Sequence, residues 1–285
     1  MKVVRLAWVL TLALMIMPPT TVAQTLEQLW QQGETAQAQK KYPEAERIWR
    51  QIIQLDPNSA VAFSNLCAAL FRQNKLDEAP IFCQKAFALD PKLPETYIGL
   101  GNVLWDQKKL TEAEEMYRRA IALDDKYVYA YYNLGLVLAD QKKLTEAEEM
   151  YRRALALDDK FVDAYNDLGN VLRDQKKLTE AEEMYRRALA LDDKYVYAYY
   201  NLGNVLSDQK KLTEAEEMYR RALALDDKFA PAYNNLGNVL RDQKKLTEAE
   251  EMYRKALALD DKLVYAYNGL GNVLYDQKKL TEAEE

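Results

Sequence analysis

The side chains of this sequence that could do chemistry are amides, carboxylates and aromatic rings that recur at a spacing of 34 residues. A side-chain amide offers both a hydrogen-bond donor and an acceptor, so a row of asparagines could bind the backbone of an extended peptide without reading its sequence. Aromatic side chains could add flat apolar contact, and arginines could add charge. The candidate binding residues are Asn102, Trp105, Tyr132, Asn133, Asn170, Arg173, Tyr200, Asn201, Asn204, Asn235, Asn238, Arg241 and Asn272.

The same inventory argues against catalysis. The chain contains no histidine, which removes the commonest general base and the commonest transition-metal ligand. The repeated run TEAEE places carboxylates beside arginines at helical spacing, which is typical of a solvated helix face with i,i+4 ion pairs. Aspartate pairs such as Asp158 and Asp159 lack the spaced ligands and the glycine of an EF-hand loop. We expect no enzyme activity, no cofactor, no metal and no small-molecule substrate.

Charge and cysteine usage exclude further classes. The formal net charge is −6, and basic pairs alternate with acidic ones, so no basic surface forms to neutralise phosphates and nucleic acid is an unexpected partner. Cys67 and Cys83 are the two cysteines, and their spacing does not match a zinc site.

A repeat positions all of these side chains. The stretch 128–161 reads VYAYYNLGLVLADQKKLTEAEEMYRRALALDDKF, and the rest of the chain after residue 25 repeats it closely or loosely. Each copy of such a repeat is one supersecondary element that buries its apolar face only against its neighbours. Repeats 1 to 8 span residues 26–59, 60–93, 94–127, 128–161, 162–195, 196–229, 230–263 and, truncated, 264–285.

Each repeat predicts two helices. With Val128 as place 1, apolar or small residues fall at places 4, 7, 8 and 11, and again at 20, 24, 27 and 28, which are the faces of a helix A and a helix B. Thr145 followed by Glu148 predicts a capping box at the start of helix B. Gly135 recurs in nearly every copy, and a glycine inside a helix costs about 1 kcal/mol relative to alanine, so we expect it to permit close helix contact.

These places carry a family resemblance. Their aromatic, leucine, glycine and alanine residues resemble the pattern of tetratricopeptide repeats. The resemblance implies an all-α fold, a right-handed superhelical solenoid of antiparallel helix pairs, in which helix A lines an inner groove that binds a protein or an extended peptide. The residues that carry it in repeat 4 are Tyr131, Leu134, Gly135, Leu138, Ala147, Tyr151 and Ala154.

Variation among repeats 3 to 8 points to the same face. Places 13 to 25 do not vary, including exposed charges, which suggests recent duplication. Places 2, 5, 6, 9 and 12, expected to project into the groove, do vary. The candidate asparagines are similar to the asparagine ladder of some tetratricopeptide superhelices, whereas a clamp for acidic chain ends is disfavoured because only Arg173 and Arg241 are positive there. Drift at exposed places, and asparagine as a solvated family signature, remain the alternatives.

The N-terminus predicts export. Lys2 and Arg5 precede an apolar run over 6–17, and a small residue, Ala23, ends the segment, which is typical of a secretory signal peptide over 1–23. The repeat array then occupies 24–285, in a periplasmic or secreted protein. An uncleaved anchor is the alternative, although the apolar run is shorter than the roughly 20 residues that span a bilayer.

Cys67 and Cys83 fall at places 8 and 24 of repeat 2, which face each other in one hairpin. A disulfide is therefore a candidate in an exported protein; two buried thiols are the alternative.

The sequence as a whole favours an exported interaction scaffold that binds a protein or extended peptide. Two other readings stay open. Near-identical repeats with an uncapped last copy could associate end to end into a structural array. Alternatively, the array could be the docking region of a longer protein whose C-terminal domain follows Glu285. Membrane contact is expected only through an uncleaved signal segment.

Overall fold

The computed structural model describes residues 19–278, with side chains from residue 25 onward. Most of the predicted signal segment and the second helix of the truncated last repeat lie outside the described residues. Within 19–278 there are fifteen α-helices and no strand. The helices are α1 (Pro19–Ala38), α2 (Tyr42–Leu55), α3 (Ala60–Arg72), α4 (Ala79–Leu89), α5 (Pro94–Asp106), α6 (Leu110–Leu123), α7 (Val128–Asp140), α8 (Leu144–Leu157), α9 (Val162–Asp174), α10 (Leu178–Leu191), α11 (Val196–Asp208), α12 (Leu212–Leu225), α13 (Ala230–Asp242), α14 (Leu246–Leu259) and α15 (Val264–Asp276).

Odd-numbered helices are the predicted helices A and even-numbered helices are the predicted helices B. The helices fall into two compact units, divided between Val137 and Leu138. Within each unit, a helix packs against the next one in the sequence, and helix A of one repeat also contacts helix A of the next. The predicted all-α solenoid of helix pairs is confirmed, whereas its handedness stays a prediction.

In repeats 3, 5, 6 and 7 a glycine of helix A faces a buried tyrosine of helix B, and in repeat 1 Gly33 faces Trp49. A Cβ atom on Gly203 would lie 2.7 Å from Cε1 of Tyr219, and one on Gly169 would lie 2.6 Å from Cε1 of Tyr185. Both rings are almost fully buried. Because no side chain fits between the ring and helix A, the recurring glycine allows the two helices of a hairpin to approach, as expected from its position.

The turn from helix A to helix B differs from the prediction. Helix α8 begins at Leu144 with Lys143 as its N-cap, and no side chain caps it, so the predicted capping box at Thr145 is wrong. The end of α7 closes the turn instead: the amide of Lys143 donates to the carbonyl of Leu138, and that of Lys142 to Ala139, both at 2.9 Å. This Schellman motif places Thr145 inside helix B, where it cannot be the N-cap.

That motif requires a left-handed residue, and a non-glycine residue occupies the position in every repeat. The φ angles lie between 58° and 65°. For most L-residues other than asparagine and aspartate, this conformation costs about 1–2 kcal/mol of free energy. The residues are Lys40, Asn74, Lys108, Lys142, Lys176, Lys210, Lys244 and Lys278.

Several of the invariant charges on helix B connect neighbouring repeats. Glu148 accepts from Lys177 Nζ of the next repeat at 2.7 Å and from Arg152 of its own helix at 2.9 Å. Arg152 also reaches Glu180 of the next repeat at 2.9 Å. The same arrangement recurs at Glu182 and Glu216. Identity at these places therefore has a structural use in addition to recent duplication.

Repeat 2 replaces the glycine–tyrosine contact with a covalent bond. Cys67 and Cys83 form a disulfide between α3 and α4, with their Cα atoms 5.3 Å apart. Gly99 of the next repeat lies against it, since a Cβ there would be 2.8 Å from the Cys83 sulfur.

Replacing Lys176 and Lys210 together with glycine should stabilise the protein, because glycine adopts positive φ at no steric cost. We expect a gain of about 1 kcal/mol per site, measured as a shift of the urea unfolding midpoint with unchanged slope. Asn74→Gly is the matched control and should give a smaller gain, since asparagine tolerates this conformation. An Asn74→Gly gain as large as half of the double variant's gain would contradict the explanation.

The helix B ion pairs should make stability fall in acid. Partial burial alone would raise the pKa of Glu182 and of Glu216, but hydrogen bonds from Lys211, Arg186, Lys245 and Arg220 outweigh it and lower both. A carboxylate whose pKa is lowered by folding stabilises the protein above its unfolded pKa, which is about 4.5, and this contribution is lost as the pH falls further.

Substituting both glutamates with glutamine should therefore cost about 0.5–1 kcal/mol per site at pH 7 and flatten the loss of stability between about pH 5 and 3 in urea unfolding. Glu183→Gln with Glu217→Gln is the control, because these glutamates pair only along their own helix. A control with the same pH profile as the test variant would refute the role of the inter-repeat pairs.

Candidate functional site

Five of the predicted binding residues meet at one cavity in the second compact unit. The cavity has a volume of about 320 Å³ and lies among the helices A of repeats 5, 6 and 7, which are α9, α11 and α13. Tyr219, from helix B of repeat 6, also lines it. The lining residues are Arg173, Tyr200, Asn204, Ser207, Asp208, Tyr219, Asn235 and Asn238.

A buried tyrosine holds each of two lining asparagines. The Tyr219 hydroxyl donates to Asn204 Oδ1 at 2.7 Å, and the Tyr253 hydroxyl donates to Asn238 Oδ1 at 2.8 Å. Burial raises the pKa of Tyr219, and raises that of Tyr253 to about 12, so both hydroxyls stay protonated at neutral pH. The same bond joins Tyr117 to Asn102, and Tyr185 to Asn170, at 2.7 and 2.8 Å.

These bonds fix which half of each amide remains for a ligand. With Oδ1 occupied by the tyrosine, the NH₂ group is the part that can turn to the cavity. Neither Asn204 nor Asn238 uses its NH₂ group in a hydrogen bond to any described residue. The expectation that each asparagine offers a donor and an acceptor therefore becomes more specific, because this pair offers donors.

Asparagines at place 6 connect repeats. Asn235 donates from Nδ2 to Asn204 Oδ1 at 2.8 Å and to the Tyr200 hydroxyl at 3.1 Å, and its Oδ1 accepts from Asn234 at 2.9 Å. In the first unit, Asn133 donates to Asn102 at 3.2 Å. Asn201 donates to Asn166 Oδ1 at 3.0 Å. These amides are largely satisfied within the protein, so they orient the site more than they contact a ligand.

Tyr200 forms the aromatic wall of the cavity. Its ring centroid lies 5.0 Å from that of Phe229 and 6.0 Å from that of Tyr219. Tyr197 extends the cluster, 5.7 Å from Phe229, with more than half of its surface exposed. An apolar surface of this kind can pack against the side chains of a bound chain.

Arg173 brings a positive charge to the cavity. Its side chain is half-buried, and it forms no ion pair within residues 25–278. The arginines of helix B differ, since residues such as Arg186 lie against glutamates. Arg241, at the same place two repeats later, lies 3.6 Å from Asp242.

The other predicted residues do not line this cavity. Asn102, Trp105, Tyr132 and Asn133 are half-buried residues of the first compact unit. In the second unit, Asn170, Asn201 and Arg241 are half-buried and Asn272 is exposed, but none of these lines the cavity.

Place 5 was expected to project into the groove, and for three repeats this is wrong. Ile98, Asn166 and Asn234 are only 9%, 5% and 7% exposed, and the two asparagines bond to adjacent side chains. Ser207, Asp208 and Tyr219 line the cavity without having been predicted. The variation at place 12 could have identified Ser207. The role of the Tyr219 hydroxyl could not be predicted, because a tyrosine that recurs at helical spacing indicates only a buried ring.

Within residues 19–278, no cluster of histidine, cysteine, aspartate and glutamate could hold a metal ion. None of the helices in that range combines the length and apolarity needed to cross a bilayer.

Comparison with solved structures finds the same fold in other proteins. YrrB, described as a tetratricopeptide repeat protein with an unusual peptide-binding site, is 26% identical and aligns over 65% of this chain and 96% of its own, with a TM-score of 0.55. Pseudomonas aeruginosa pilF is 19% identical over 73% and 95%, with a TM-score of 0.66. The Cut9–Hcn1 hetero-tetramer of the APC/C is 20% identical over 85% of this chain, at a TM-score of 0.75, and this chain spans about half (48%) of it.

A search of curated proteins finds no significant match. Models of protein families, in contrast, match most of the chain and agree with the solved structures. Two models, both described as tetratricopeptide repeat, match residues 31–94 and 98–160, and residues 161–228, 195–262 and 228–285. Together with the stacked helix pairs, these matches show that the chain belongs to the tetratricopeptide repeat family, whose members are generally non-enzymatic scaffolds for protein interaction.

Proposed function

We propose that this protein is an exported scaffold that binds an extended peptide segment of a partner protein along the helices A of its repeats. The observation that carries the proposal is the cavity among α9, α11 and α13, where amide donors, an arginine and an aromatic ring face open space. A peptide backbone presents a carbonyl acceptor at each residue, which matches a surface of fixed donors.

The preorganisation of the amides supports binding. Tyr219 and Tyr253 hold Asn204 and Asn238 before any ligand arrives, so a peptide does not need to order these side chains. Fixing a side chain in advance avoids an entropy cost of about 0.5–1.5 kcal/mol per residue on binding. The description of YrrB as having a peptide-binding site is consistent with this use of the fold.

Removing the amides should weaken binding without unfolding the protein. We expect the combined variant Asn170→Ala, Asn204→Ala and Asn238→Ala to bind a peptide selected from a random library about tenfold or more weakly than the unchanged protein, because a net hydrogen bond contributes about 0.5–1.5 kcal/mol. Fluorescence anisotropy measures the affinity, and circular dichroism checks that helicity is retained.

Two further combined variants serve as comparisons in this experiment. Tyr185→Phe, Tyr219→Phe and Tyr253→Phe together keep the rings but remove the hydroxyls, so affinity should fall less than in the asparagine variant. Glu149→Gln, Glu183→Gln and Glu217→Gln change the exposed surface of helix B and should leave affinity unchanged. Full affinity in the asparagine variant would exclude the site.

Export is the other part of the proposal, and it rests on the basic and apolar pattern of residues 1–23. The mature chain recovered from an envelope or culture fraction should begin at Gln24, as measured by intact mass. A mass that includes Met1 would show that the segment is retained.

A further inference from the structure

The residues at places 5 and 12 of helix A alternate between two combinations along repeats 4 to 7. Repeats 4 and 6 carry tyrosine at place 5 and a small residue at place 12, whereas repeats 5 and 7 carry asparagine and arginine. In the second compact unit this alternation brings Arg173 of repeat 5 to the same cavity as Tyr200 and Ser207 of repeat 6. The small serine leaves space where Arg173 could meet a ligand.

The walls of this cavity are rich in hydrogen-bond donors. Asn204 and Asn238 present NH₂ groups because tyrosines occupy their oxygens. The Tyr200 hydroxyl accepts from Asn235, which leaves its own O–H group to donate. Arg173 adds a guanidinium that no carboxylate of residues 25–278 pairs with. Donors in this number and one cation favour an acceptor that carries negative charge.

We propose that this cavity binds the carboxylate of a glutamate or aspartate side chain within the extended peptide, with Arg173 as the residue that selects for it. The proposal deepens the function proposed above and rests on it. Bidentate pairing with a planar guanidinium suits a carboxylate. A phosphate dianion fits less well, because Asp208 lines the same cavity and offsets the charge of Arg173.

The volume and the neighbouring repeats indicate one such site. A cavity of about 320 Å³ is at the lower end of the range for small-molecule sites, about 300–1,000 Å³, and can hold one side chain. At the corresponding places two repeats upstream, the sequence has Trp105 for Arg173, Leu136 for Asn204 and Asp167 for Asn235. Two repeats downstream, Tyr275 stands where Ser207 opens the space, and one repeat downstream the same place is Arg241. Only repeats 5 to 7 combine the arginine, the two amides and the serine.

The experiment selects peptides of about 12 residues from a random library, displayed with a blocked C-terminus, on the unchanged protein, Arg173→Gln and Arg241→Gln. Twelve extended residues reach about 40 Å, enough to cross several helices. Arg241 is the matched control, since it occupies the same place but does not line the cavity. Circular dichroism and thermal unfolding confirm that both variants are folded.

We expect one acidic position in peptides selected by the unchanged protein and by Arg241→Gln, and none in those selected by Arg173→Gln. In a synthetic selected peptide, changing the acid to its amide should lower affinity for the unchanged protein about tenfold or more, and for Arg173→Gln by less than about twofold, because a charged hydrogen bond contributes about 1.5–3 kcal/mol. A smaller loss of affinity in Arg173→Gln would show that Arg173 pairs with the acidic side chain of the peptide.

Four results would overturn the proposal. Selected peptides without an acidic position would refute this inference while leaving peptide binding intact. Equal coupling of the acid to Arg241 would place the carboxylate elsewhere. If a library with free C-termini instead yields binders that need the terminal carboxylate, the ligand is a chain end and not an internal side chain. A failure to select any peptide would refute the proposed function itself.

Discussion

The contact between a glycine of helix A and a buried tyrosine of helix B is the constraint on which this structure depends. The missing side chain at Gly203 lets the ring of Tyr219 lie against the backbone of its partner helix. The same ring carries a hydroxyl that reaches the next residue of helix A, Asn204. One pair of residues therefore sets both the spacing of the hairpin and the orientation of an amide on its surface. Packing and the orientation of this amide are coupled at each repeat that has this trio.

The two faces of the array are under different constraints. On helix B, glutamates such as Glu182 accept from a lysine of the next repeat, so a change in one repeat would remove a bond from its neighbour. Sequence identity there is compatible with a shared interface. On helix A, the places around the cavity differ from repeat to repeat while the tyrosine beneath them does not. A constant frame can thus carry a variable surface.

The sequence predicted the helix pairs because apolar places at helical spacing recur through the chain, and repetition removes the ambiguity of a single amphipathic segment. The capping box failed because Thr145 and Glu148 fit that pattern equally well inside a helix, and the backbone of α7 had already closed the turn. Local patterns do not record which end of a neighbouring helix competes for the same amides.

The candidate site was predicted in part. Place 9 asparagines were recognised, but the bond from Tyr219 was not, since two residues 15 apart reveal contact only after the hairpin forms. The burial of Asn166 depends on how helix A is rotated between its neighbours, which no single repeat encodes. Arg173 was noted for its charge alone. Arg173 and Ser207 line the same cavity because adjacent repeats carry different residues at place 12.

Repeat 2, which contains the disulfide, differs from most later repeats in whether it can orient an asparagine on helix A. Cys67 and Cys83 take the places of the glycine and the tyrosine, and Ala68 stands where all later repeats except repeat 4 have asparagine. This hairpin therefore lacks the bond from a tyrosine hydroxyl to an asparagine, and a covalent cross-link joins its two helices instead. The disulfide and the tyrosine-held asparagines thus lie in different hairpins, and Asn102 is the first such asparagine along the described residues.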